Sequence, residues 1–252
     1  MDKLQKTLLI SLITTSAIAW FILKDQQNMM PMMPYDPTAI SLFATTWTVG
    51  MAAMMFPAIS PMVLLYNRLI SGNVETVVKE RSHPLQLILF VGSYLSIWAS
   101  VGVILLLTWS SAINVLMEIH VNELNIIHGI VLIVAGLYQF SSIKTKCLGY
   151  CESPMSFFMR RWRSGTVGAV KMGTYHALYC LGCCWPYFLL MLALGWMDVL
   201  WMGLFAGIIF GEKIWSRGIW VARSAGIGFL TLGLLTIFVP GIGLTAYILT
   251  FQ

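Results

Sequence analysis

The sequence predicts an all-α protein that crosses a membrane as a bundle of about seven helices. Three observations predict this fold class. Hydrophobic residues make up 58% of the 252 residues and charged residues only 10%, with a mean hydropathy of +0.81, whereas soluble domains carry about 25% charged residues. Many apolar runs reach the roughly 17–25 residues that cross a bilayer. Finally, the basic residues gather on one side of the spans that these runs define.

The apolar runs define predicted spans at about 7–23, 40–66, 84–111, 123–143, 172–195, 198–213 and 224–250. The sixth run is short and follows the fifth almost directly, so it fits either a tight hairpin or part of one bent element. We expect one integral membrane domain over 1–252. Within it, 1–39 form an anchor helix with a Met-rich outside loop, and 40–252 form the core bundle.

The positions of the basic residues predict the orientation. With a cytoplasmic N-terminus, every Lys and Arg except Lys24 lies on the cytoplasmic side, as cytoplasmic loops usually require. We therefore expect a multi-pass protein of the inner (plasma) membrane, in contact with the lipid bilayer. These loops also account for the net charge of +5. Because no basic helix carries interleaved aromatic residues, we expect no nucleic-acid partner.

Methionines are concentrated before and within the second span. The outside loop holds four methionines within 29–33, and its prolines prevent a regular helix there. Met51, Met54 and Met55 follow with i, i+3, i+4 spacing and share one helix face. Thioethers are soft ligands that suit Cu(I), so both groups are candidates for a metal path. The alternatives are an interfacial loop and ordinary core packing, since Met fills irregular gaps.

The five cysteines form two groups, both placed away from the outside loops. Cys147 and Cys151 follow the fourth span and are one turn apart if this region is helical, so they could share a metal. The odd count and the cytoplasmic placement argue against a disulfide framework. We therefore expect reduced thiols.

The fifth span carries the most informative motif, which is His176-x-x-x-Cys180-x-x-Cys183-Cys184. On a helix these residues lie on one face, with Cys184 at its edge. A single buried Cys behaves as a small hydrophobe, but three thiols and an imidazole on one sector indicate a metal site. Thiolate and imidazole are ligands that Cu(I) and zinc prefer.

The last two spans and the missing motifs restrict the function further. Glu212 ends the sixth span, where packing or capping is the simplest interpretation. The last span is rich in glycine, which predicts close helix packing, and it lacks the lysine that a retinal Schiff base needs. The chain has no Walker A motif, dinucleotide fingerprint or His-Glu-x-x-His motif, so we expect neither an enzyme nor a pump that is energised by this chain alone.

The chain resembles an uncharacterised family described as predicted metal-binding integral membrane proteins. The resemblance covers about 47–213 and rests on five blocks: Trp47 to Pro61; Gly92, Tyr94 and Trp98; Ala135 to Gln139 with Lys144, Cys147, Cys151 and Pro154; Gly173 to Trp185; and Gly195, Met197, Trp201, Met202, Glu212 and Lys213. Ser141 and Ser142 depart from a Thr-Pro that is frequent in the family. The resemblance implies a metal-binding membrane protein.

Together these observations predict a membrane protein that handles Cu(I), by uptake or by delivery to a copper enzyme. The abundant methionines favour copper, although zinc also suits Cys and His. The predicted metal ligands are His176, Cys180, Cys183, Cys184, Cys147, Cys151, Met51, Met54 and Met55. Two alternatives stay open. The chain could be a non-catalytic accessory subunit of a larger membrane complex, such as a copper enzyme, or a membrane redox protein that uses its thiol pairs.

Overall fold

A computed structural model describes residues 3–26, 37–71, 83–117, 121–194, 198–215 and 217–239. Within these residues the chain is helical and contains no strand, as the sequence predicts. The helices are α1 (Lys3–Gln26), α2 (Pro37–Ser71), α3 (His83–Met117), α4 (Val121–Gln139), α5 (Ser142–Glu152), α6 (Pro154–Arg161), α7 (Gly165–Leu194), α8 (Val199–Ile214) and α9 (Gly218–Phe238).

Four of the described helices are long and apolar enough to cross a membrane. They are α1, α2, α3 and α9, and α4 with α5 would make a fifth as one bent span. At 16 residues, α8 is slightly shorter than the roughly 17 residues that a span requires. The seven spans and the cytoplasmic N-terminus therefore remain predictions, and both the Met-rich loop at 29–33 and the end of the seventh predicted span lie outside the described residues.

The fourth predicted span differs from the structure at its C-terminal end. The prediction extends it to residue 143, but α4 ends at Gln139 and the chain turns by 63° into α5. The turn is stabilised locally, because the Ser141 side chain accepts a hydrogen bond from the Lys144 backbone N–H at 3.1 Å and caps α5. This bend lets α5 pack against α7 and α8.

Helix α2 lies at the centre of the bundle. In the most apolar 18-residue stretch of α2, 67% of the residues are buried, against 22–28% in the corresponding stretches of α1, α3 and α9. It packs against α1, α3 and α8. The Trp47 indole N–H donates to the Trp98 carbonyl of α3 at 2.9 Å, and the Ser16 hydroxyl of α1 donates to the Ala53 carbonyl at 2.5 Å. The methionine stripe of α2 thus faces the protein interior.

Helices α4 and α9 pack through glycines, as the glycine-rich last span predicts. Gly233 of α9 lies against Gly129, and Gly226 lies against Gly136. A Cβ at Gly226 would lie 2.8 Å from the Gln139 Cβ and 3.1 Å from the Gly136 carbonyl oxygen. Small residues at such positions let two backbones approach closely. This contact holds α9 against the helix that leads into α5.

Candidate metal centre

Four thiols converge in the core of the bundle. Cys180, Cys183 and Cys184 of α7 are 0% exposed, and Cys151 of α5 is 7% exposed. The Cys183 Sγ lies 3.8 Å from the Cys151 Sγ and 3.3 Å from the Cys184 Sγ. The cysteines of the described residues are reduced, as the sequence predicts. Contact between α5 and α7 therefore joins the two cysteine groups that are separate in the sequence.

The Cys180 thiol has the most varied surroundings in this cluster. The Lys213 ammonium of α8 lies 2.9 Å from its Sγ, the Tyr94 hydroxyl of α3 lies 3.1 Å away, and the Met55 Sδ of α2 lies 4.0 Å away. The same ammonium lies 3.9 Å from the Met55 Sδ. Side chains of four helices thus meet at one sulfur atom. Because Lys213 is only 4% exposed, its positive charge acts in an environment with little water to screen it.

A buried ion pair lies beside the thiol cluster. The Lys144 Nζ of α5 donates to the Glu212 carboxylate of α8 and to the Cys183 carbonyl of α7, both at 2.7 Å. The Tyr187 hydroxyl donates to the other oxygen of the same carboxylate. Lys144 and Glu212 are both 0% exposed. The network ties three helices together at the turn of α7 that carries Cys183 and Cys184.

Lys144 and Lys213, which the sequence predicts among the charges of the cytoplasmic loops, are not loop residues, although the side of the membrane on which they lie stays a prediction. Both lysines are buried in the core because each finds an acceptor there, namely Glu212 for Lys144 and the Cys180 sulfur for Lys213. Buried charges are retained in proteins when they are paired. The sequence gives a partial signal, since Glu212 and Lys213 are polar residues at the end of a strongly apolar run.

His176 lies beside the cluster in an aromatic environment. Its ring stacks on Tyr94 and Phe90, with centroids 5.5 and 6.3 Å away, and Phe157 meets it edge-on. The side chain is 1% exposed, and neither ring nitrogen has a hydrogen-bond partner. A buried polar group without a partner is unfavourable and points to a function or to a bound ion. Tyr94 connects this imidazole to the Cys180 thiol.

The other predicted ligands lie at or beyond the margin of the cluster. Cys147 is one turn before Cys151 on α5, as predicted, but it is only half-buried and lies against Gly182 of α7. Met51 and Met54 are buried in the core on the same helix as Met55. Met55 contacts the cluster, with its Sδ 4.0 Å from the Cys180 Sγ.

The cluster is not a closed metal site in this conformation. In the part of the chain that the structure describes, no group of three or more His, Cys, Asp or Glu side chains is arranged to hold a metal ion. One sulfur–sulfur distance in the cluster is nevertheless close to that between two ligands of a metal ion. Four thiolates about 2.3 Å from a tetrahedral ion are separated by about 3.8 Å, and the sulfurs of Cys151 and Cys183 have this separation. This one pair therefore has a separation that would suit two ligands of the same ion.

The comparisons with known proteins give the family. No curated protein and no solved structure is significantly similar to the chain. The family described as "PpoB2: Copper chaperone" matches residues 44–236. This range contains α3 to α8, most of α2 and almost all of α9, and with them every residue of the thiol cluster. The chain therefore belongs to this copper chaperone family.

Proposed function

We propose that this chain is an integral membrane protein that binds Cu(I) as cargo in its core and delivers it to a copper-requiring protein. The observation that carries the proposal is the convergence of four thiols and one thioether from three helices. Soft sulfur donors select Cu(I) over harder ions. Membership of a copper chaperone family supports copper as the cargo.

The proposed holding site consists of the Cys151, Cys180, Cys183 and Cys184 thiols with the Met55 thioether. His176 adds a nitrogen donor, because its unpartnered imidazole would gain a partner when a metal binds. Thiols bind metals as thiolates, so loading releases protons. The Lys213 ammonium beside Cys180 supplies a positive charge that balances the negative charge of a copper–thiolate centre.

The open arrangement of the donors suits a carrier. A carrier must release its metal, so a closed site of four fixed ligands would be a disadvantage. Cys147 lies one turn from Cys151 and is partly exposed. It provides a thiol between the surface and the buried cluster, through which copper can exchange from sulfur to sulfur.

Copper affinity of the detergent-purified protein tests this proposal. The reduced protein is titrated with Cu(I) without oxygen, in competition with a coloured Cu(I) chelator. We expect about one Cu(I) per chain in the wild type and loss of this binding in Cys180→Ser/Cys183→Ser. Met172→Leu is the matched control, because Met172 is a fully buried residue of the same helix that belongs to no part of the proposed site.

Two results would contradict the proposal. One is a wild-type protein that does not compete with the chelator for Cu(I). The other is equal affinity in the wild type and the double variant. Purification of the chain in stable association with a copper enzyme, without copper of its own, would instead favour an accessory subunit.

A further inference from the structure

Cys151 and Cys183 are a pair of the thiol cluster whose geometry suits oxidation. Cys151 and Cys183 lie on different helices with their sulfurs 3.8 Å apart, so a modest approach would give the S–S distance of about 2.05 Å. The Cys183–Cys184 pair is less suitable despite its shorter separation. Adjacent Cα atoms are about 3.8 Å apart, below the roughly 4.4–6.8 Å that a disulfide spans without strain.

The remaining donors are held in a different way. The Cys180 sulfur is engaged by the Lys213 ammonium and the Tyr94 hydroxyl, and Met55 carries a thioether, which cannot form a disulfide. If Cys151 and Cys183 were oxidised, Cys180, Cys184 and Met55 would still offer three sulfur donors beside the new bond. The cluster thus combines a reducing thiol pair with a soft site for a reduced ion.

We propose that Cys151 and Cys183 reduce Cu(II) to Cu(I) inside the protein, so that the carrier generates the form of copper that it holds. This inference rests on the proposed function. In the reaction two Cu(II) ions each accept one electron. The two S–H bonds break, one S–S bond forms between Cys151 and Cys183, and two protons leave to water. One of the two Cu(I) ions then binds Cys180, Cys184 and Met55, which prefer it to Cu(II), and the other leaves. The complete holding site is restored when the Cys151–Cys183 disulfide is reduced again.

Burial makes this reduction selective for copper that reaches the core. Cys151 and Cys183 are shielded from bulk oxidants, whereas an ion that exchanges along Cys147 arrives one helical turn from Cys151. The pair reacts once and is then a disulfide. A new cycle requires a dithiol reductant, which exchanges with the disulfide through a mixed intermediate.

The test uses the full chain, purified with all five cysteines reduced and mixed anaerobically with copper(II) sulfate. A Cu(I)-specific chelator added after quenching measures the copper that has been reduced. We expect a burst of about two Cu(I) per chain and the loss of about two thiols, with peptide mapping showing a Cys151–Cys183 disulfide. Cys151→Ser and Cys183→Ser should each abolish the burst, and Met172→Leu should retain it.

The outcomes separate this inference from the function on which it rests. Anaerobic Cu(I) binding with no reduction of Cu(II) would overturn the redox step and leave the carrier function intact. Failure to bind either ion would remove both. An undiminished burst in Cys151→Ser would also overturn the assignment. Because peptide mapping is done on the wild type, a disulfide between other cysteines refutes the pair even if a serine variant does not fold.

Discussion

Replacing Lys144 with Met tests whether the buried charge network holds the thiol cluster together. The ammonium donates to the Glu212 carboxylate and to the Cys183 carbonyl, both at 2.7 Å, and both charged side chains are 0% exposed. Removal of one partner of a buried ion pair costs about 3–5 kcal/mol, because the other charge remains without compensation. We therefore expect Lys144→Met to lower the free energy of unfolding by about that amount.

A second variant separates the charge from the packing. In Lys144→Met/Glu212→Gln a neutral amide replaces the uncompensated carboxylate, and its oxygen can still accept the hydrogen bond from Tyr187. We expect this double variant to be more stable than Lys144→Met alone, with a coupling within the range of about 0.5–3 kcal/mol that interacting residues show.

The assay is reversible unfolding in mixed micelles of a mild detergent and dodecyl sulfate, followed by tryptophan fluorescence. Lys146→Met is the matched control, because Lys146 is an exposed lysine on the same helix, where substitutions change stability by less than about 0.5 kcal/mol. Equal losses in Lys144→Met and Lys146→Met would refute the reasoning. So would a double variant that is no more stable than the single one.

Two further predictions follow from the packing and from the imidazole. Gly226→Ala should destabilise the protein by about 1–3 kcal/mol, because its Cβ would lie 2.8 Å from the Gln139 Cβ. Gly228→Ala is the control and should not destabilise the protein, because nothing lies within 4 Å of a Cβ at that position. Equal thermal midpoints of the two variants would contradict the close contact of α4 and α9. His176→Phe should stabilise the metal-free protein, because it removes a buried ring without hydrogen-bond partners, and should weaken Cu(I) binding about 10-fold or more. Lower stability with unchanged chelator competition would show that His176 is a packing residue only.

The local part of the candidate site could be predicted from the sequence. Helical spacing alone places His176, Cys180 and Cys183 on one face of α7, and the glycines of the last span indicate its close packing. Long-range contacts could not be predicted in this way. Cys151 joins Cys183 through the 63° bend after Gln139, and Lys144 pairs with Glu212 across 68 positions of the chain.

The burial of charged residues near the ends of apolar runs could not be predicted from the sequence. Lys144 and Lys213 flank predicted spans, where lysines usually face water, so the sequence alone favours loop positions. The structure buries them because acceptors from other helices meet them in the core. The spacing of residues within one helix does not show which side chain of another helix will contact them.

The copper K-edge X-ray absorption spectrum of the Cu(I)-loaded protein reports which atoms surround the bound copper. We expect Cu(I) with a shell of neighbours dominated by sulfur, from the thiols of Cys151, Cys180, Cys183 and Cys184 and the Met55 thioether. This sulfur shell should be lost in Cys180→Ser/Cys183→Ser and kept in Met172→Leu. A shell of nitrogen and oxygen alone, or a sulfur shell unchanged in the double variant, would contradict the claim that the buried cluster holds the copper.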